Sequence, residues 1–251
     1  MEFMSIFTLK RDGLNIVCEQ LNPFGERYDL AIIMHGFTAN RNTDLLKQLA
    51  QNLCNENVSS IRFDFNGHGE SDGAFKDMTV LNEIADANCV LSYVKTNPHI
   101  NHIYLVGHSQ GGVIASMLAG LYPDLIDKLV LLAPAACLKD DALAGSTQGV
   151  SYNPKKIPDI IPYKGKELGG FYLRIAQNLP IYETSKNFTG PVCLIHGKSD
   201  QVVDYKYSQK YHDIYENSTL HLIEADHRFT GDSQKEAIRL TTDFLRPTTF
   251  F

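Results

Sequence analysis

No apolar run in the 251 residues approaches the roughly 18 that a membrane-spanning helix needs. Positive charge is also scarce. There are 23 Lys and Arg against 29 Asp and Glu, for a net charge of −6, so the chain lacks the cationic footprint of a nucleic-acid partner. Cysteines are few and odd in number: Cys18, Cys54, Cys89, Cys137 and Cys193, with no CxxC spacing. That excludes a disulfide framework and reads as reduced thiols in a cytoplasmic protein. The opening MEFMSIFTLKRDG carries no basic leader followed by an apolar stretch and a small-residue cleavage site, which agrees with a cytoplasmic location. GxGxxG, GxxxxGK[ST] and HExxH are all absent, so neither a nucleotide cradle nor a metal site is expected, and no cofactor.

What remains is ordinary globular composition, 43% apolar and 21% charged, enough for one sizeable core. Short runs rich in Val, Ile and Leu recur at 29–35, 58–65, 102–108, 128–134, 191–197 and 219–225, each bounded by Gly, Pro, Asn or Asp. They read as buried strands. Between them, Val80, Ile84, Ala87, Leu91 and Val94 repeat at steps of four and three, one face of a helix over 79–96. Helical patterns also cover 41–56, 110–122, 204–216 and 231–245. Strands alternating with helices predict an α/β fold with a mostly parallel sheet covered on both faces, as a single domain over 1–251. Ligands bind such sheets at the carboxyl ends of the strands. The Asp12-Gly13 pair within FTLKRDGLNIVCEQL predicts a leading antiparallel hairpin.

The interval 134–190 breaks this rhythm. It holds Pro134, Pro154, Pro158, Pro162 and Pro180, half of the chain's ten prolines, together with Tyr152, Tyr163, Phe171, Tyr172 and Tyr182. It is too long for one crossover and too aromatic for a disordered linker, so it predicts a lid subdomain folded over the strand ends.

The heptapeptide VGHSQGG at 106–112 joins an apolar run to a helical one. Within it Gly107-His108-Ser109-Gln110-Gly111 fits GxSxG in strand–turn–helix context, where side chains at 107 and 111 would collide with neighbouring backbone. Ser109 is thus a candidate nucleophile. A serine hydroxyl needs a general base oriented by a carboxylate, in the chain order Ser, acid, His. Of nine histidines, His227 follows the last strand in IEADHRF and can reach back over Ser109, whereas His196 lies too early in the chain. For the acid, HGKSDQVVD offers Asp200 in a loop at a strand's carboxyl end, and Asp204, which reads rather as a helix N-cap. Oxyanion donors are expected from the amides of Gln110, next after the serine, and Phe37, in the loop after AIIMHGF. Asp64 and His68, in DFNGHGESDG, read as supports of that loop.

With those residues in place the chain resembles the serine esterases of the α/β-hydrolase superfamily through HGFTANRNT, RFDFNGHGESDG, LVGHSQGGVIASMLAG, HGKSDQVV and ADHRF. More narrowly, APAACLKDDALAGSTQGVSYNP and LGGFYLRIAQNLPIYE are similar to the lid of the cinnamoyl (feruloyl) esterases of intestinal lactobacilli. Glu224 stands where relatives open the motif G-A-D-H with glycine, so the histidine loop is expected to be a residue shorter. The resemblance implies hydrolysis of hydroxycinnamoyl esters such as ferulate, caffeate, p-coumarate and chlorogenate, without a cofactor. It also implies that Asp141, Gln148 and Tyr172 of the lid contact the phenolic end of the acyl group. A broad short-chain acyl esterase or an acylglycerol lipase would use the same triad. The expected partner is a small-molecule ester, not nucleic acid or membrane. The sequence leaves the oligomeric state open, a homodimer included.

Overall fold

The computed structural model describes residues 3–23 and 25–247, so the domain expected over 1–251 also takes in residues outside those described. The leading hairpin forms as expected. Strands β1 (Phe3–Arg11) and β2 (Leu14–Asn22) pair antiparallel around Asp12-Gly13, both at positive φ, the backbone a tight two-residue hairpin turn requires.

The remaining sheet strands alternate with helices. In chain order they are β3 (Tyr28–Met34), α1 (Asp44–Asn55), β4 (Val58–Phe63), α2 (Val80–Val94), β5 (Ile100–His108), α3 (Gln110–Leu121) and β6 (Lys128–Leu132). An inserted stretch then carries α4 (Cys137–Ala144), the two-residue strands β7 (Ser146–Thr147) and β8 (Val150–Ser151), the hairpin β9 (Ile160–Tyr163) and β10 (Lys166–Gly169), α5 (Gly170–Ala176) and α6 (Ile181–Ser185). Strand β11 (Val192–Gly197), α7 (Lys206–Ile214), β12 (Ser218–Ile223) and α8 (Asp232–Leu245) complete the fold.

The eight-stranded sheet runs β1-β2-β4-β3-β5-β6-β11-β12, parallel throughout from β4 to β12. Burial on both faces explains why its central strands are continuous apolar runs. Along β3, Leu30, Ile32 and Met34 face α2 and α3, while Ala31 and Ile33 face α1 and α8. Each fully buried Leu or Ile side chain contributes about 1.5–3 kcal/mol. Val80, Ile84, Ala87, Leu91 and Val94 of α2 all lie buried, as their spacing predicts. Among the described residues, no helix is long and apolar enough to cross a membrane.

Strands β4 and β6 each end two residues before their apolar runs do, handing over to site-forming loops at Asp64 and Ala133. Asp204 accepts the Lys206 amide at 2.9 Å, so its side chain satisfies a backbone N–H at the start of α7 as expected, although Tyr205, itself in helical conformation, stands directly before the helix.

Candidate active site

Strand β5 runs directly into Ser109, whose φ of 56° and ψ of −122° turn the chain sharply before α3. A non-glycine residue at such a φ is strained and persists only where its surroundings fix it. Here the Ser109 amide donates to Leu132 O at 2.9 Å, and the Ser109 carbonyl accepts from Gly112 at 2.9 Å and from Ala135 at 3.0 Å. The flanking glycines are steric requirements. A Cβ at Gly107 would strike the Gly111 carbonyl, and one at Gly111 would strike the backbone of Met34 and His35.

Ser109 Oγ–H donates to His227 Nε2 at 2.9 Å, and His227 Nδ1–H donates to Asp200 Oδ2 at 2.7 Å. The carboxylate partner fixes the ring's tautomer, leaving Nε2 free to accept the serine proton. The Asp200 side chain is fully buried, and its other oxygen accepts the amides of Val202 and Val203, each at 2.8 Å. Burial pushes its pKa up, but hydrogen bonds from His196 and His227 and from the Val203 amide outweigh that and hold the carboxyl well below the usual range. It is therefore ionised at neutral pH. Asp204 lies exposed in an ion pair with Lys206.

Two further histidines brace this line. His108 Nε2–H donates to the His227 carbonyl at 2.8 Å, and burial first, then the neighbouring His227, lowers its pKa to about 4, so it stays neutral. His196, fully buried, donates Nε2–H to Val203 O at 2.9 Å and to Asp200 Oδ2 at 3.2 Å, and its Nδ1 accepts from Ser208 Oγ at 2.6 Å. Chain order gave no sign of that supporting role. Glu224 points away to pair with Lys198 at 2.7 Å, and its presence in place of glycine does not keep His227 from Ser109.

The amides of Phe37 and Gln110 donate to no other group among the described residues. Gly36 lets the Phe37 loop close on the serine, since a Cβ there would sit 2.8 Å from Ser109 Cβ. The loop is pinned from behind. His35 donates Nδ1–H to Gly36 O at 2.9 Å and accepts the Phe65 amide at Nε2 at 3.1 Å, and burial followed by His68 lowers its pKa to about 3. Asp64 accepts the Arg41 amide at 2.7 Å and pairs with the Arg41 guanidinium, which also grips Glu70. His68 packs its ring on His35, with centroids 5.2 Å apart.

The Gln110 side chain is also fully engaged. Its Nε2 donates to Glu83 Oε2 at 2.5 Å, and its Oε1 accepts from the Tyr172 hydroxyl at 2.7 Å. Burial raises the Glu83 pKa to about 8 despite the bond from Gln110. Glu83 lies on a flank of the amphipathic face of α2, where sequence periodicity alone does not mark it.

A cavity of about 700 Å³ opens on Ser109 and His227. Its walls include Phe37, Gln148, Tyr163, Lys164 and Arg228, so the insertion supplies part of the lining. Of the three residues of the 134–190 insertion named from the sequence, Gln148 lines this cavity, while Asp141 and Tyr172 do not. Tyr172 is buried, with its ring 5.4 Å from that of Phe37. Asp141 is half-buried on α4, and burial raises its pKa against a hydrogen bond from the Cys137 thiol. Among the described residues, no group of three or more His, Cys, Asp or Glu is arranged to hold a metal ion.

A mostly parallel eight-stranded sheet, with a serine on a strained strand-to-helix turn at its carboxyl edge, is the architecture of the α/β hydrolases. The family model described as "Serine aminopeptidase, S33" matches residues 26–159, more than half of the chain, and the chain belongs to that α/β-hydrolase family. Est1E from Butyrivibrio proteoclasticus, solved with ferulic acid bound, superposes with a TM-score of 0.91 at 30% identity, covering 95% of this chain and 98% of that one. Mouse palmitoyl-protein thioesterase ABHD10, mitochondrial, is 26% identical over 74% of this chain and 64% of its own length. Human monoglyceride lipase is 30% identical over 49% of this chain and 40% of its own. The chain thus spans less than two thirds of the length of these two curated relatives.

Proposed function

We propose that this chain is a serine carboxylic ester hydrolase and that its substrates are hydroxycinnamoyl esters. The observation that carries the reading is the unbroken line from Ser109 through His227 to Asp200, at 2.9 and 2.7 Å, beside two unengaged amides. In the reaction, Ser109 Oγ attacks the ester carbonyl as its proton passes to His227 Nε2. Negative charge developing on the carbonyl oxygen is met by the Phe37 and Gln110 amides. The C–O bond to the alcohol breaks, and His227 returns the proton to the departing oxygen. A water then repeats the sequence on the acyl-serine, releasing the acid and restoring Ser109. Proton and electron balance close with water alone.

The acyl preference rests on the aromatic wall and on the likeness to Est1E, whose structure holds ferulic acid. Phe37 and Tyr163 line the cavity, with ring centroids 5.4 Å apart, a surface suited to a flat cinnamoyl group. In this reading residues 134–190 form a lid. Gln148 and Asp141 meet the phenolic end, and Tyr172, whose proton goes to Gln110, keeps lone pairs that accept from a ring hydroxyl. A second reading, an acylglycerol lipase with the same chemistry, draws on the likeness to monoglyceride lipase. Cytoplasmic residence is part of the proposal and fits five free thiols.

The test is an ester panel with the purified chain and Ser109→Ala. The variant should lose turnover by roughly 10⁶, and methyl ferulate should be cleaved with higher kcat/KM than a monoacylglycerol. Activity of Ser109→Ala within tenfold of wild type would sink the mechanism, and a preference for the glyceride would favour the lipase.

A further inference from the structure

Gln110 is not among the residues that line the cavity, yet both ends of its buried side chain are committed. Its Nε2 goes to Glu83 on α2 at 2.5 Å, and its Oε1 takes the hydroxyl of Tyr172 on α5 at 2.7 Å. All three residues are at most 3% exposed. Both ends of the amide are paired with buried partners, so removing either partner would leave a buried polar group unpaired. The Tyr172 ring in turn rests against Phe37, with centroids 5.4 Å apart and planes inclined at 31°. One bonded chain of three side chains therefore touches both residues whose amides are unengaged, although one amide lies in the loop after β3 and the other opens α3.

We propose that Glu83, Gln110 and Tyr172 form a positioning unit that holds the Phe37 and Gln110 amides at the spacing an oxyanion needs. This rests on the hydrolase reading above and extends it to the side-chain bonds among these three residues, which lie behind the reacting carbonyl. Two donors on separate elements stabilise one developing charge best when their separation is fixed before reaction. The loop of Phe37 is pinned from behind by His35 and Asp64, whereas the Gln110 side chain is held by its hydrogen bonds to Glu83 and Tyr172. Loosening either partner should therefore leave ground-state binding in place and weaken transition-state stabilisation.

The experiment uses 4-nitrophenyl butyrate, which has no phenol in its acyl group, and a trifluoromethyl ketone that forms a tetrahedral adduct on serine. Tyr172→Phe and Glu83→Ala should each lower kcat about 10- to 100-fold, below the full loss of an oxyanion donor. KM should stay within about threefold, and ketone affinity should fall in step with kcat. Glu83→Gln, which keeps an acceptor for Gln110, should restore most of the loss. The double variant Glu83→Ala/Tyr172→Phe should be no slower than about threefold below the slower single, because both free the same amide. Tyr172→Phe removes one oxygen and keeps the ring, so it decides the matter if Glu83→Ala does not fold. Unchanged kcat, a loss confined to KM, or losses that multiply in the double variant would each overturn the inference. Ser109→Ala is assayed alongside. If it keeps activity, the hydrolase reading itself fails; if it is inactive while the network variants match wild type, only the positioning unit fails.

Discussion

His196 and His227 share one oxygen of Asp200: Nε2 of the first lies 3.2 Å and Nδ1 of the second 2.7 Å from Oδ2. With two backbone amides on the other oxygen, the carboxylate has four donors and little freedom to turn. Replacing Asp200 by Asn puts an NH₂ group among these donors and forces His227 toward the wrong tautomer. Asp200→Asn should therefore cut kcat by up to about 10⁴, and Asp204→Asn by far less. Comparable losses in the two variants would move the acid away from Asp200.

Glu83 makes a prediction about alkaline stability. Burial, partly offset by the Gln110 bond and reinforced by Asp86, raises its pKa from 4.5 to about 8. The groups facing it are Gln110 from α3, His68 with Nδ1 at 3.9 Å, and Asp86 along α2, with the Tyr172 hydroxyl beyond Gln110. A raised acid keeps its full contribution to stability below the unfolded pKa and loses it as pH rises through the folded one. Relative to Glu83→Gln, the wild type should lose stability steadily between about pH 4.5 and pH 8 and no further above. Thermal midpoints measured across pH 4 to 10 check this. Parallel curves for the two proteins would show that Glu83 does not titrate there.

Arg41 is 3% exposed and bridges the Asp64 and Glu70 carboxylates, and the Asp64 side chain is fully buried. Breaking such a pair from one side leaves an uncompensated buried charge, which costs about 3–5 kcal/mol. Arg41→Leu should lower the free energy of unfolding in urea by that amount, whereas the exposed Lys206→Ala should change it by less than about 1 kcal/mol. A small loss for Arg41→Leu would mean that Asp64 finds other donors or takes up a proton.

Substrate selection has its own test. If the Asp141 carboxylate accepts the phenolic hydroxyl, removing it leaves that hydroxyl unpaired at a cost of about 1–3 kcal/mol, roughly 10- to 100-fold. Asp141→Ala should lower kcat/KM for methyl ferulate more than for 4-nitrophenyl butyrate by that factor. Equal losses on both esters would assign Asp141 to folding of the 134–190 insertion.

The fold was legible because local signals agree with burial. PVCLIHG is continuously apolar because β11 is buried on both faces, and the repeat from Val80 to Val94 marks the face that α2 turns to the core. The serine turn was legible too, since Gly107 and Gly111 are demanded by contacts within a few residues of Ser109 and with the end of β3. The role of His196 was not. Its chain position argues against a catalytic base but says nothing about which buried donor steadies the acid. Glu83 and Tyr172 are 89 positions apart and meet only through Gln110, so no periodicity links them. The course of 134–190 was equally opaque, because its short elements are set by what they pack on rather than by propensity.

Strands β6 and β11 pair residue by residue, from Leu129 with Val192 to Leu132 with Ile195. Everything between them thus leaves the sheet and returns one strand away, and because the two strands are parallel any replacement must still cross back from the carboxyl end of β6 to the amino end of β11. The stretch is no free appendage, because Leu168, Tyr172, Leu173, Ile181 and Phe188 enter the main core and Ser185 bonds Ser116 of α3. Any graft has to present a donor where the Tyr172 hydroxyl now meets Gln110, or the turn beside Ser109 loses its outer brace.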